Sequence, residues 1–335
     1  MFQACMIDGF GWFHAADYQR AYLLFEKVDY VLPQETHGQL WYPLSVYKSP
    51  MYEVAHQSLT IDRSDMVQRL RHELQDPVLR AHLRRAPFHD LEYATRVIRT
   101  DPEMSWLAGE LAEQLPEAAV LMLANKLLLY AAHTGSTPIV GQEYCWDILF
   151  RKVSKELLSV VDTIPRFATT SQKVLFSKLN AGLALAFLHD EELAPVSVEE
   201  LAEFKNHNRS LLHRHHLHIL EIAQQYSEIP DDGEFDQRLA ALQLQALRTQ
   251  QELDENARDA WLGAGFSLLE KAAVAGITAA IPMVVFVRNA SPLELLAAIL
   301  PGFGLAVAAG LDTAKKIRAA RKTPFAYLFR AGRLR

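Results

Sequence analysis

The chain has 335 residues, half of them hydrophobic and 22% charged, so it can bury a sizeable core and wholesale disorder is excluded. Its two cysteines, Cys5 and Cys145, leave no room for a disulfide framework and point to a reducing cytosol. The net charge of −6 is unevenly spread: residues 313–335 hold eight basic residues and no acidic one, and the rest of the chain has 26 basic against 40 acidic residues. An acidic body with a basic tail argues against a general nucleic-acid binder and suggests that the tail meets an anionic surface.

In chain order, the start "MFQACMIDGFGWFHAADYQR" has no basic stretch ahead of an apolar run, so no signal peptide is expected. "ACMI" reads as a strand, followed by Asp8. Residues 17–28 carry apolar groups at helical spacing, and "DYVLP" reads as a short strand closed by Pro33. Ser64 is placed to cap the helix "DMVQRLRHELQ", Pro77 interrupts the helical pattern beyond it, and helix resumes after Pro87. "LPEAAVLMLANKLLLYAAHTG" is apolar almost all round and predicts a buried helix ended by Gly135. "TPIV" gives a brief buried strand, and "QEYCWDILFRKVSKELLSVV" another helix. A single helix–strand–helix unit does not establish a parallel sheet.

Ser197 and Glu200 have capping-box spacing ahead of one long helix, "VEELAEFKNHNRSLLHRHHLHILEIAQQY", which Pro230 ends. Residues 234–259 read as a further helix with apolar positions at Phe235, Leu239, Leu242 and Ala246. The expected fold is α+β and helix-dominated. It consists of a mixed α/β region with a small sheet over residues 1–190 and an all-helical region over 191–335.

The most distinctive segment is a pair of uncharged runs, residues 272–287 and 295–311, of 16 and 17 residues. Ser291, Pro292 and Glu294 supply a cap, a first-turn proline and a capping-box acid for the second run, so the pair reads as a Gly/Ala-rich apolar helical hairpin. A bilayer needs about 20 apolar residues and tolerates about 17, so both runs sit at the limit. Pro282 and Pro301 would interrupt each helix, whereas the small residues at 275, 276, 279, 280, 304, 306 and 308–310 allow close approach. Membrane insertion and burial in a helical domain both fit. A membrane-binding site would comprise the hairpin, with Val285 and Ala306 inside it, and the following Lys315, Lys316, Arg318, Arg321 and Lys322.

Residues 207–220, "HNRSLLHRHHLHIL", hold five of thirteen histidines. His213 and His216, and likewise His215 and His218, are three apart, as two zinc ligands on one helical face would be. No HExxH motif or paired cysteines supply further ligands, so the expectation is structural histidines and no metal or other cofactor, with His215 and His218 the pair to watch. Cys145, between Tyr144 and Trp146, reads as a buried small hydrophobe. There is no P-loop, no GxGxxG and no GxSxG.

Several phrases together, "LLFEKVDYVLP", "LANKLLLYAAHTGSTPIVGQEYCWDIL", "VSVEELAEFKNHNRSLLHRHHLHIL", the Gly/Ala-rich hairpin and "TPFAYLF", resemble an uncharacterised family of bacterial proteins encoded near mobile-element and phage-defence genes. The resemblance carries no catalytic residues. Taken together with the cysteine count, the apolar hairpin and the basic tail, it leads to the expectation of a non-enzymatic defence-type sensor or effector that works through a protein partner or self-association, in the cytoplasm and, through the hairpin and tail, at an anionic membrane. The second phrase also resembles the core of PIN-type nucleases, which hold divalent metal with carboxylates at strand ends. That resemblance implies a divergent metal-dependent nuclease using Asp8, Glu143 and Asp147. Gly141–Gln142 stands where an acid would be expected directly after the strand, which weakens the parallel. A third alternative is a soluble helical scaffold.

Overall fold

The computed structural model describes residues 2–11, 15–31, 51, 53–55, 62–154, 168–224, 235–251 and 323–334. The hairpin 272–311 and the basic residues 315–322 lie outside the described residues, and with them Val285, Ala306, Lys315, Lys316, Arg318, Arg321 and Lys322.

The fold is α+β and helix-dominated, built around a small parallel sheet. Its strands are β1 (Gln3–Ile7), β2 (Lys27–Val31), β3 (Glu53–Ala55) and β4 (Thr137–Pro138), in the order β3-β2-β1-β4. All three pairings are parallel, with Cys5 opposite Asp29 on one side and Pro138 on the other. β1 is central, and Ala4 to Ile7 are almost wholly buried, as expected of a parallel strand covered on both faces.

Between β1 and β2 runs α1 (Ala15–Leu24). After β3 come α2 (Arg63–Gln75), α3 (Pro77–Leu83), α4 (Phe88–Thr100), α5 (Leu107–Glu110) and α6 (Leu115–Thr134). Asp62 caps α2, its carboxylate accepting from Asp65 N at 3.1 Å, whereas Ser64 lies inside the helix. Asp wins because it stands three residues before an unsatisfied first-turn N–H. Asp76 ends α2 and caps α3, accepting from Val78 N and Leu79 N, with Pro77 in the first turn where no N–H is needed. α6 is the core helix: 15 of its 20 residues are buried, and Gly135 ends it at φ 75°. The segment Ala112–Thr134 is long and apolar enough to cross a membrane by length and composition, but 83% of its apolar 18-residue window is buried inside the fold.

After β4 follow α7 (Glu143–Ser154), α8 (Ala168–Leu185), α9 (Asp190–Leu193), α10 (Val198–His207) and α11 (Arg209–Gln224). The Ser197–Glu200 capping box forms as expected. The single long helix expected after it is instead two. Asn208 breaks it at φ −108°, its side-chain amide donating to Phe204 O at 2.9 Å and its Oδ1 accepting from Arg330 at 2.7 Å. An asparagine that bonds its own backbone offers an alternative to the helix. Residues 235–251 are helical, and α12 (Ala326–Ala331) lies near the end.

The chain forms two compact units, Met1–Leu239 with Arg330–Arg335, and Ala240–Phe329. α10 and α11, expected to open a separate region from residue 191, pack on α1 and α8 within the first unit.

Candidate functional site

The chain runs from β1 to β2 and β3 on one side of the sheet, then returns to β4 on the other. In open parallel sheets such a switch point leaves a crevice at the carboxyl ends of the strands, and ligands bind there. Asp8 stands at that end of β1. Its backbone N–H bonds Val31 O at 3.1 Å, which continues the ladder with β2. The side chain, 3% exposed, accepts from Tyr30 at 2.8 Å and from Tyr93 at 3.1 Å. Burial raises its pKa to about 7 despite the two tyrosine hydroxyls and the Gly9 N–H, all of which favour the carboxylate. The tyrosines respond in kind: burial and the neighbouring acid raise Tyr30 and Tyr93, and burial pushes Tyr18, which bonds Tyr30, up to about 12.

The turn after Asp8 depends on glycine. Gly9 and Gly11 take φ of 81° and 79°. A Cβ at Gly9 would sit 2.9 Å from Val97 Cγ2, and one at Gly11 would sit 2.8 Å from Cys145 Sγ. Lack of a side chain therefore lets the turn pack against α4 and α7 while holding a left-handed backbone.

The carboxylates of the neighbouring α4 and α7 are already engaged. Asp90, buried at the start of α4, accepts from Tyr144 at 2.8 Å and faces His89 Nε2 at 3.2 Å. Asp147 on α7 is clasped by Arg85, with Lys178 Nζ at 3.5 Å and His82 Nδ1 at 3.6 Å. Glu143 is 69% exposed and shares Lys178 at 3.5 Å. Lys178 in turn lies over the Phe150 and Phe235 rings, at 4.6 and 4.7 Å. The structure thus joins Glu143 to Asp147 through a lysine and gives Asp8 tyrosine partners. Among the described residues no three His, Cys, Asp or Glu side chains converge to hold a metal ion.

The histidine cluster resolves differently from its sequence spacing. The fully buried pair is His215 and His216, adjacent in sequence, because the stripe of α11 facing the core passes between them. His215 Nε2 lies 2.8 Å from Asn180 Oδ1. His216 Nε2 donates to Leu24 O, and its ring packs against Phe2 and Phe176, with centroids at 4.4 and 5.8 Å. Burial lowers the His216 pKa to about 4. His218 is half-buried beside Glu221 at 3.9 Å, and burial lowers its pKa too. Both cysteines are buried, and burial holds their thiols well above the usual range.

Sequence reading reached Asp8 but missed its partners Tyr30 and Tyr93. The only local hint was the "IDGFG" turn directly after a strand. No family model, curated protein or solved structure matches the chain.

Proposed function

We propose that this protein is a non-enzymatic defence-type sensor or effector that works by binding a partner, with its apolar hairpin and basic tail engaging an anionic membrane. The observation that supports binding over hydrolysis is the state of Asp8 and Asp147. Asp8 is held by Tyr30 and Tyr93, and Asp147 by Arg85 and Lys178, so each acid already has partners where a hydrolytic metal would need free oxygens. The membrane half of the reading rests on the sequence of residues 272–322.

Flotation with purified full chain tests it. Phosphatidylserine vesicles should carry the protein more strongly than neutral ones. Each basic residue near the surface contributes about 1 kcal/mol, and salt weakens that term. Reversing Lys315, Lys316, Arg318, Arg321 and Lys322 should abolish the preference while the melting temperature holds. An aspartate at Val285 or Ala306 should block insertion at a cost of about 2.5–3.5 kcal/mol yet leave a soluble protein. Loss of solubility in both aspartate variants, with no flotation of wild type, would place the hairpin in a soluble core and end the membrane reading.

A second reading, a divergent metal-dependent nuclease, is favoured by one observation: Asp8 occupies the carboxyl end of the central strand at the switch point. It expects cleavage of DNA or RNA with magnesium or manganese that disappears in Asp8→Asn. The binding reading expects intact substrate in both proteins.

A further inference from the structure

We infer that the corner between α3 and α4 is a docking surface for single-stranded nucleic acid. Phe88, the first residue of α4, is 80% exposed, more than any other large hydrophobic side chain among the described residues. It is presented by a fixed scaffold. Arg85 N and Ala86 N close a turn onto His82 O and Leu83 O, and Pro87 sets the entry to α4 at φ −60° and ψ 145°. Below the corner, the buried Asp90 is tied to Tyr144 and the Arg85 guanidinium is clasped by Asp147, both on α7.

Two basic side chains near the ring are left unpaired. Arg80 and Arg84 are exposed, and no ion pair engages either among the described residues. The nearby carboxylates already have partners: Asp76 pairs with Arg151, Asp147 with Arg85 and Lys178, Glu143 with the same Lys178 and Glu92 with Arg96, while the buried Asp90 accepts from Tyr144. The acids of this corner are therefore held by other groups and leave Arg80 and Arg84 unpaired. Two unpaired guanidinium groups, eight and four residues before a bare aromatic face, match a polymer that alternates phosphates with flat bases. A lone nucleotide needs a concave site, and a ring exposed to this degree does not line one. A membrane needs a broad apolar face, whereas Arg84, Arg85, His89 and Glu92 all stand within four residues of Phe88 in the chain.

This surface gives the partner of the binding reading above its chemistry. The test uses full-length protein and a labelled mixed-sequence oligonucleotide of about 16 nucleotides, followed by fluorescence anisotropy across a salt series. Phe88→Ala should weaken binding about tenfold, the loss of one stacked base, and Phe88→Tyr should restore it. Arg80→Ala with Arg84→Ala should lower the salt slope by about 1.4, the value for two phosphate contacts on a single strand. All three side chains are exposed, so melting temperatures should not move. Reversing the five tail charges should leave the Phe88-dependent part of the affinity in place. If wild type fails to bind, or if only the tail reversal weakens binding, the corner is not a nucleic-acid surface. Phe88-dependent flotation with phosphatidylserine vesicles, without strand binding, would overturn the inference in favour of a membrane. Cleavage of the bound strand would end the non-enzymatic reading but leave the docking surface standing, whereas an intact and unbound strand would end only the latter.

Discussion

Below 3.8 Asp8 is protonated whether the chain is folded or not, and between 3.8 and about 7 only the folded chain keeps that proton. Its contribution to stability is therefore most favourable at acid pH and is lost as pH rises through that window. Asp8→Asn should remove this decline, worth on the order of a few kcal/mol, and leave the rest of the profile unchanged. Urea melts across the window would show it, and an unaltered decline in the variant would mean that Asp8 titrates normally. His216 has the opposite sign. Its folded pKa of about 4 lies below 6.5, so its contribution is complete above 6.5 and is lost as pH falls toward 4. His216→Phe should blunt the acid-side loss, yet cost about 1–3 kcal/mol at neutral pH because Leu24 O loses its donor.

Glycines of equal backbone conformation serve different elements. Gly135 ends α6 with φ 75°, and a Cβ there would find only Lys173 Nζ at 3.7 Å. Gly135→Ala should cost about 1 kcal/mol, from left-handed strain alone. Gly11 adds the contact with Cys145 Sγ, so Gly11→Ala should cost clearly more. In the double variant with Cys145→Ala, part of that excess should return. Chemical denaturation of the four proteins measures this as a double-mutant cycle, and strict additivity would mean that the turn after β1 does not press on α7.

Across the whole molecule, α6 carries buried charge as well as apolar bulk. Lys152 from α7 pairs with Glu73 from α2 at 2.6 Å and donates to Asn125 on α6 at 2.9 Å. The next residue of α6, Lys126, pairs with Asp101 at 3.2 Å. These links tie three helices together across the core. Burial lowers the pKa of Lys152, and Glu73 opposes that shift. Lys152→Met alone should cost about 3–5 kcal/mol because Glu73 is stranded, and adding Glu73→Leu should recover most of the loss. Thermal melts of the single and double variants would decide it: a double variant no better than the single one would mean the pair is more than a mutual neutralisation.

Much of this was already determined by the sequence itself. The apolar α6 run with Gly135 behind it, the "ACMI" and "DYV" strands and the Ser197–Glu200 box each carry a local signal that the fold obeys. Those signals reside in consecutive residues, where periodicity and capping chemistry act directly on the backbone. Tertiary structure alone decided the rest. The parallel sheet order arises from pairings between segments far apart in the chain, and no single strand encodes its neighbour. Asp8 was legible as an acid after a strand, but its meeting with Tyr93 bridges 85 residues. Which histidines are buried was not legible, because the buried face of α11 depends on where Phe2, Leu24 and Asn180 stand, not on histidine spacing. Side-chain partnership across the chain is a property of packing, and packing is fixed only when the core closes.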